Sequence, residues 1–162
     1  MSEKYLSVFG VGPFYVATII STTVAAILLH LFTPIASIVI FSNIAAIVLG
    51  VFLIIEGIVL WVSAVVFSHI TAKIKSNKLV TNGVFAYVRN PIYSAFMLLC
   101  TGILICFNNL ILMVFPLFFY LFLTVLMIRT EEKWLKDLYK QEYVDYCKRV
   151  NRCIPMFKIN KM

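Results

Sequence analysis

"IASIVIFSNIAAIVLGVFLIIEGIVLWVSAVVFSHI", residues 35–70, carries one formal charge, Glu56. A helix rises ~1.5 Å per residue and a bilayer core is ~30 Å thick, so this run is too long for one crossing. A short turn followed by a helix starting near Ser42–Asn43 resolves the excess. Upstream the pattern is the same, with no formal charge anywhere between Lys4 and Glu56. The whole chain of 162 residues is 62% hydrophobic and only 13% charged, with a mean hydropathy of +0.99. A soluble domain has no use for so much apolar surface. The reading is an all-α, polytopic membrane helix bundle of about four to five transmembrane helices, forming one domain over 1–162.

The first apolar segment runs from Phe9 to Phe32 and ends before Pro34. It is too long for the core of a secretory signal and has no small-x-small cleavage site, so a retained helix is expected. A third segment runs from Ile92 to Phe107 and a fourth from Leu110 to Ile128. A cytoplasmic amphipathic helix from Glu131 to about Cys147 follows, with Trp134, Leu135, Leu138 and Tyr139 at helical spacing. With four crossings, all fourteen Lys and Arg fall on one side. The positive-inside rule makes that side cytoplasmic, along with both termini.

The net charge of +7 fits attraction to anionic membrane lipids. It does not suggest nucleic acid, because the basic residues flank membrane segments without a recognition fold. Cys100, Cys106, Cys147 and Cys153 have no zinc spacing to His30 or His69, so reduced structural thiols and no metal are expected.

Three polar stretches interrupt the apolar pattern. In "NGVFAYVRNPIY", residues 82–93, Asn82–Gly83 reads as a turn and Pro91 as the first residue of a helix. Arg89 and Asn90 then sit at a helix mouth whose free N–H groups can receive a carboxylate. In "RTEEKW", residues 129–134, Arg129, Glu131 and Glu132 lie where the fourth segment leaves the membrane. In "YVDYCKRVNRCIP", residues 143–155, Tyr143 and Tyr146 share a helix face, Arg149 and Arg152 follow, and Pro155 ends the element. Each stretch alone reads equally as a cap, a solvated turn or an interfacial anchor.

Together, in order and around two membrane segments, they resemble the isoprenylcysteine carboxyl methyltransferases and related phospholipid methyltransferases. The resemblance rests on Gly83, Phe85, Arg89, Asn90, Pro91 and Tyr93, then Glu131–Glu132, then Tyr143, Tyr146, Arg149, Val150, Ile154 and Pro155. It implies a membrane methyltransferase using S-adenosylmethionine in a cytoplasm-facing, non-Rossmann pocket, with residues 71–162 as the cofactor-binding and catalytic half. No G-x-G-x-x-G follows a strand pattern, in keeping with this. The resemblance further implies cofactor contacts from Lys78, Leu79, Val80, Phe85, Arg89, Asn90, Pro91, Tyr93 and Glu131. It implies catalytic roles for Arg129, Glu132 and Arg149, and a prenylated, lipid or other lipophilic acceptor. Asn90 stands where many relatives have His, and the tail lacks the Pro-x-Gly of the eukaryotic carboxyl methyltransferases.

Glu56 leaves a competing expectation. A lone intramembrane carboxylate also suits a small proton-coupled multidrug-type transporter. That reading accounts for Glu56 but leaves the three polar stretches without a use.

Overall fold

The computed structural model describes residues 10–33, 38–67 and 79–155. Among the described residues there are five α-helices: α1 (Gly12–Phe32), α2 (Asn43–Val62), α3 (Pro91–Cys106), α4 (Val114–Arg129) and α5 (Glu131–Arg149). Among the described residues the only extended pairing is an isolated parallel bridge between Val88 and Asn151. The protein is therefore all-α and has no Rossmann sheet among these residues.

Local chemistry sets the helix ends. Ser42 caps α2, its hydroxyl accepting from the Ala45 N–H at 3.3 Å. Pro91 opens α3, where a missing N–H costs nothing. Pro116 lies in the first turn of α4 and is tolerated for the same reason. A 3-10 turn, Leu110–Met113, leads into α4, and one π turn, Ser63–Phe67, prolongs α2.

Among the described residues three apolar helices are long enough to cross a membrane: Gly12–Phe32, Asn43–Val66 and Leu110–Arg129. The expected third crossing is shorter, since α3 has 16 residues. It spans about 24 Å, against a hydrocarbon core of about 30 Å. Pro91 fixes one end, and Asn108, in the left-handed region with φ 49°, fixes the other. This short helix is also the most enclosed, burying Pro91, Ser94, Ala95, Met97, Cys100, Gly102, Leu104 and Ile105.

Glycine brings α2 and α3 together. A side chain on Gly102 would meet the Gly50 carbonyl and Ile54, and one on Gly57 would meet Leu99 and the Ala95 carbonyl. Backbone thus lies against backbone, the close approach that small residues permit between membrane helices. On the other side of α3, Tyr15, Ile19, Thr23 and Ala26 of α1 recur at helical spacing, as do Phe119, Leu123 and Met127 of α4. The buried residues of α1, α3 and α4 form one core, and the Tyr15 hydroxyl donates to the Phe119 carbonyl at 3.3 Å. Phe14, Phe32, Ile44, Val48, Phe52, Val114 and Leu117 point outward, as a lipid-facing surface requires. The protein is a multi-pass membrane protein.

Both short turns lie at one end of the bundle, held together by Asn108. Its Oδ1 accepts from the Ile40 and Phe41 N–H groups, and its Nδ2 donates to the Phe41 carbonyl and Asn43 Oδ1. Asn109 Nδ2 lies 3.1 Å from His30 Nδ1 and ties in α1. Asn108→Ala removes four bonds in a half-dry site and a residue that tolerates positive φ. It should lower unfolding free energy by about 2 kcal/mol, read as an earlier thermal transition in detergent. An unchanged transition would mean that the two turns do not need this link.

Candidate active site

The opposite end gathers all three polar stretches. The loop before α3 bends at Gly83, whose φ of 61° suits glycine, into the 3-10 turn Gly83–Ala86. After α5 ends at Arg149 the chain becomes extended at Val150 and forms a strap across the loop. The strap is fastened by backbone bonds from Arg89 N–H to the Asn151 carbonyl (2.9 Å) and from Asn90 N–H to the Arg152 carbonyl (3.2 Å). The Asn90 side chain adds a third, donating from Nδ2 to the Arg152 carbonyl at 3.1 Å. Asn151 Oδ1 shapes the strap by accepting from the Cys153 and Ile154 N–H groups.

Under the strap lies a buried charge cluster. Glu132 is 2% exposed. Arg152 reaches it with two hydrogen bonds, from Nε to Oε1 and from Nη2 to Oε2, the latter at 3.0 Å. Arg89 Nη1 lies 3.2 Å from Oε1 and also donates to Cys147 Sγ. Arg89 Nε is buried with no hydrogen-bond partner among the described residues. One carboxylate thus faces two guanidinium groups, and bonding to Glu132 raises the Arg152 pKa.

A break in α5 at Lys140 (φ 49°, ψ −125°) brings the second half of that helix over the loop. Tyr143 and Tyr146 are buried there, and the Tyr146 hydroxyl donates to the Phe85 carbonyl at 2.6 Å. Burial raises the pKa of both phenols, so each stays a neutral donor. Burial also pushes the Cys153 thiol up to about 11, which leaves it protonated and unreactive near neutral pH.

Glu131 faces the other way. Its Oε1 accepts from the Tyr93 hydroxyl at 2.9 Å and from the Val11 N–H, at the start of α1, at 3.1 Å. Gly10, at φ 47°, leaves room for this carboxylate, since a side chain there would collide with it. Burial raises the Glu131 pKa, and the bonds from Tyr93 and Val11 oppose the rise.

Most of the expected site residues therefore meet here. Phe85 and Pro91 are buried, Arg89 and Asn90 hold the cluster and the strap, and Tyr93 binds Glu131. Leu79 and Val80 are half-buried at the start of the described loop, and Lys78 lies outside the described residues. Arg129 is exposed at the last turn of α4 and forms no ion pair with a described residue. Arg149 is exposed and donates back to the Asp145 carbonyl of its own helix. Arg152 occupies the cluster instead. The expectation also left out Gly10 and Val11, since nothing in their sequence marks a partner 120 residues away. The signal for Arg152 was its place just past the helix end, in "VNRC".

Comparison with known proteins agrees with this arrangement. Residues 44–142 match the family model described as phospholipid methyltransferase. The protein-S-isoprenylcysteine O-methyltransferase of Schizosaccharomyces pombe is 37% identical over 94 residues, covering 56% of this chain and 39% of that protein. The protein of the same name in Saccharomyces cerevisiae is 36% identical over 92 residues, covering 55% and 38%. Protein-S-isoprenylcysteine O-methyltransferase B of Arabidopsis thaliana is 30% identical over 115 residues, covering 65% and 57%. The chain thus spans well under two thirds of the length of each of these relatives. No solved structure matches it. The family match runs from α2 into α5 and takes in Arg89, Glu131 and Glu132: the chain belongs to the phospholipid methyltransferase family of S-adenosylmethionine-dependent membrane methyltransferases.

Proposed function

We propose that this chain transfers a methyl group from S-adenosylmethionine to a lipophilic acceptor where the bundle meets the cytoplasm. The observation that carries this reading is the convergence of the 79–90 loop, Glu131–Glu132 and the 150–154 strap at one end of the bundle. The donor set fits the cofactor. Two guanidinium groups against one carboxylate leave positive charge, and the unpartnered Arg89 Nε offers a further donor; both suit the carboxylate of the methionine moiety. Glu131 suits the ammonium or sulfonium, with Tyr93 as its aromatic neighbour, and Phe85 is a further buried aromatic of the loop. Lys78, Leu79, Val80, Asn90 and Pro91 complete the expected contacts, Asn90 mainly by anchoring the strap. S-adenosylmethionine, when bound, supplies an electrophilic methyl group.

The chain's own part is alignment and exclusion of water. Arg129, exposed where α4 ends and in no ion pair with a described residue, holds the polar end of the acceptor. Both oxygens of Glu132 are taken by guanidinium groups, so its part is to orient Arg89 and Arg152. Arg152 takes the part that the motif gave to Arg149. The relatives' names point to isoprenylcysteine O-methylation, and this chain's acceptor is a prenylated, lipid or other lipophilic molecule. The test is label transfer from methyl-labelled S-adenosylmethionine into solvent-extractable lipid, in membranes carrying the protein. Transfer that Arg129→Ala and Glu131→Ala abolish is the expected result. Full transfer in both variants contradicts the assignment.

A pH dependence follows from Glu131. The cofactor's cation binds the ionised carboxylate, and burial places that ionisation above the usual carboxylate range. Cofactor affinity should therefore fall as pH drops through this raised value, above the ~4.3 of an ordinary glutamate. Stability moves the opposite way. The Glu131 contribution is greatest below its unfolded pKa and declines as pH rises through its folded pKa. Calorimetric titrations across a pH series check this, and Glu131→Gln should flatten the affinity profile.

A further inference from the structure

Arg89 is held by two acceptors of different kinds. Its side chain is 8% exposed, and Nη1 lies 3.2 Å from Glu132 Oε1. The same nitrogen donates to the Cys147 thiol, one turn past Tyr143 on α5. Cys147 is half-buried and falls between Tyr146 and Arg149, at a position the family motif leaves free. A guanidinium is a rigid planar fork, so fixing Nη1 at two points also fixes where Nε is aimed. Glu132 alone sets that direction poorly, because Arg152 already grips both of its oxygens. Arg89 Nε is buried and has no hydrogen-bond partner among the described residues. A buried cationic donor left open in this way carries a desolvation cost that an anion would remove.

The chemistry of the second acceptor matters as much as its place. A thiol is a weak acceptor, and it turns the fork without bringing a second carboxylate into the cluster. An aspartate there would bond Arg89 more strongly, but two guanidinium groups would then face two carboxylates. Burial keeps the neighbouring Tyr143 and Tyr146 phenols neutral and the Cys153 thiol protonated. Arg89, Arg152 and Glu132 therefore keep one positive charge between them.

We propose that Cys147 is a positioning residue, aiming the Arg89 guanidinium at a bound carboxylate while leaving the cluster the positive charge that binds it. The methyl-transfer reading above supplies only the identity of that ligand, the carboxylate of the methionine moiety.

The experiment titrates purified protein in non-ionic detergent with S-adenosylmethionine and with the analogue whose carboxylate is replaced by hydrogen. The wild type should prefer the cofactor by roughly tenfold or more. Cys147→Asp should lose that preference without unfolding earlier, since its cluster is balanced. Cys147→Ser, which keeps an uncharged acceptor, should retain most of it, and Cys147→Val should reduce it severalfold. A merely structural role would weaken cofactor and analogue together and leave their ratio alone. An unchanged ratio in Cys147→Asp or Cys147→Val, its loss in Cys147→Ser, or equal binding of both compounds by the wild type overturns the proposal. Wild type that binds neither compound removes the methyl-transfer reading. Acetate, a bare carboxylate, then decides the proposal alone. Against chloride at equal ionic strength, it should raise the thermal transition of the wild type and not that of Cys147→Asp. Equal acetate shifts in the two proteins overturn it.

Discussion

Glu132→Ala should be among the most damaging single changes in this protein, lowering unfolding free energy by about 3–5 kcal/mol, as loss of one partner from a buried ion pair does. The side chain of Glu132 is 3% exposed and that of Arg89 is 8% exposed. Without the carboxylate, two guanidinium groups share a dry space and repel each other, and the strap loses what draws it inward. Arg152→Ala should cost less. Arg152 is 21% exposed, and Arg89 remains to pair with Glu132. Thermal unfolding in detergent gives the ranking. Equal transitions for Glu132→Ala and the wild type would show that the cluster does not hold this end of the bundle together.

Gly102→Leu should be nearly as costly, about 3 kcal/mol, through overpacking. The atoms in the way are the Gly50 carbonyl and the Ile54 side chain. Backbone cannot rotate aside, so α2 and α3 must separate. Because α3 carries Pro91 and Tyr93 at its start, separation also disturbs the candidate site. Gly83→Ala makes a useful contrast. Nothing lies within 4 Å of a side chain there, and only the φ of 61° penalises the change. It should cost about 1 kcal/mol, the penalty for leaving glycine at a left-handed position. Should Gly102→Leu unfold like the wild type, the close α2–α3 contact would be wrong.

Much of this fold is legible in the sequence because the bilayer imposes long apolar runs with clear ends. Ser42 as a cap, Pro91 as a first helical residue and the turn at Asn108–Asn109 all mark boundaries through local chemistry. The short span of α3 was legible too: the expected Ile92–Phe107 has the same length as the observed Pro91–Cys106, and Asn108, turning inward to serve two loops, fixes where it stops. The break at Lys140 has no sequence signal, for lysine at φ 49° is chosen by packing over the loop. The site was legible as three motifs in order, and their convergence places Arg89, Glu132, Tyr93 and Glu131 where chemistry is expected. Two features escaped. The start of α1 meets Glu131 only in three dimensions. The choice of Arg152 over Arg149 depends on where α5 stops, at one residue's precision.

Glu131 gives the central claim its most direct test. Calorimetry of the detergent-purified protein with S-adenosylmethionine measures whether this end of the bundle is a cofactor site. Glu131→Gln retains an oxygen for the Val11 N–H and the Tyr93 hydroxyl while removing the charge, so its fold should survive. Saturable binding in the wild type, weakened by roughly tenfold or more in Glu131→Gln and preserved in Glu56→Gln, is the result expected. No binding by well-folded wild-type protein, or equal binding by Glu131→Gln, would contradict it.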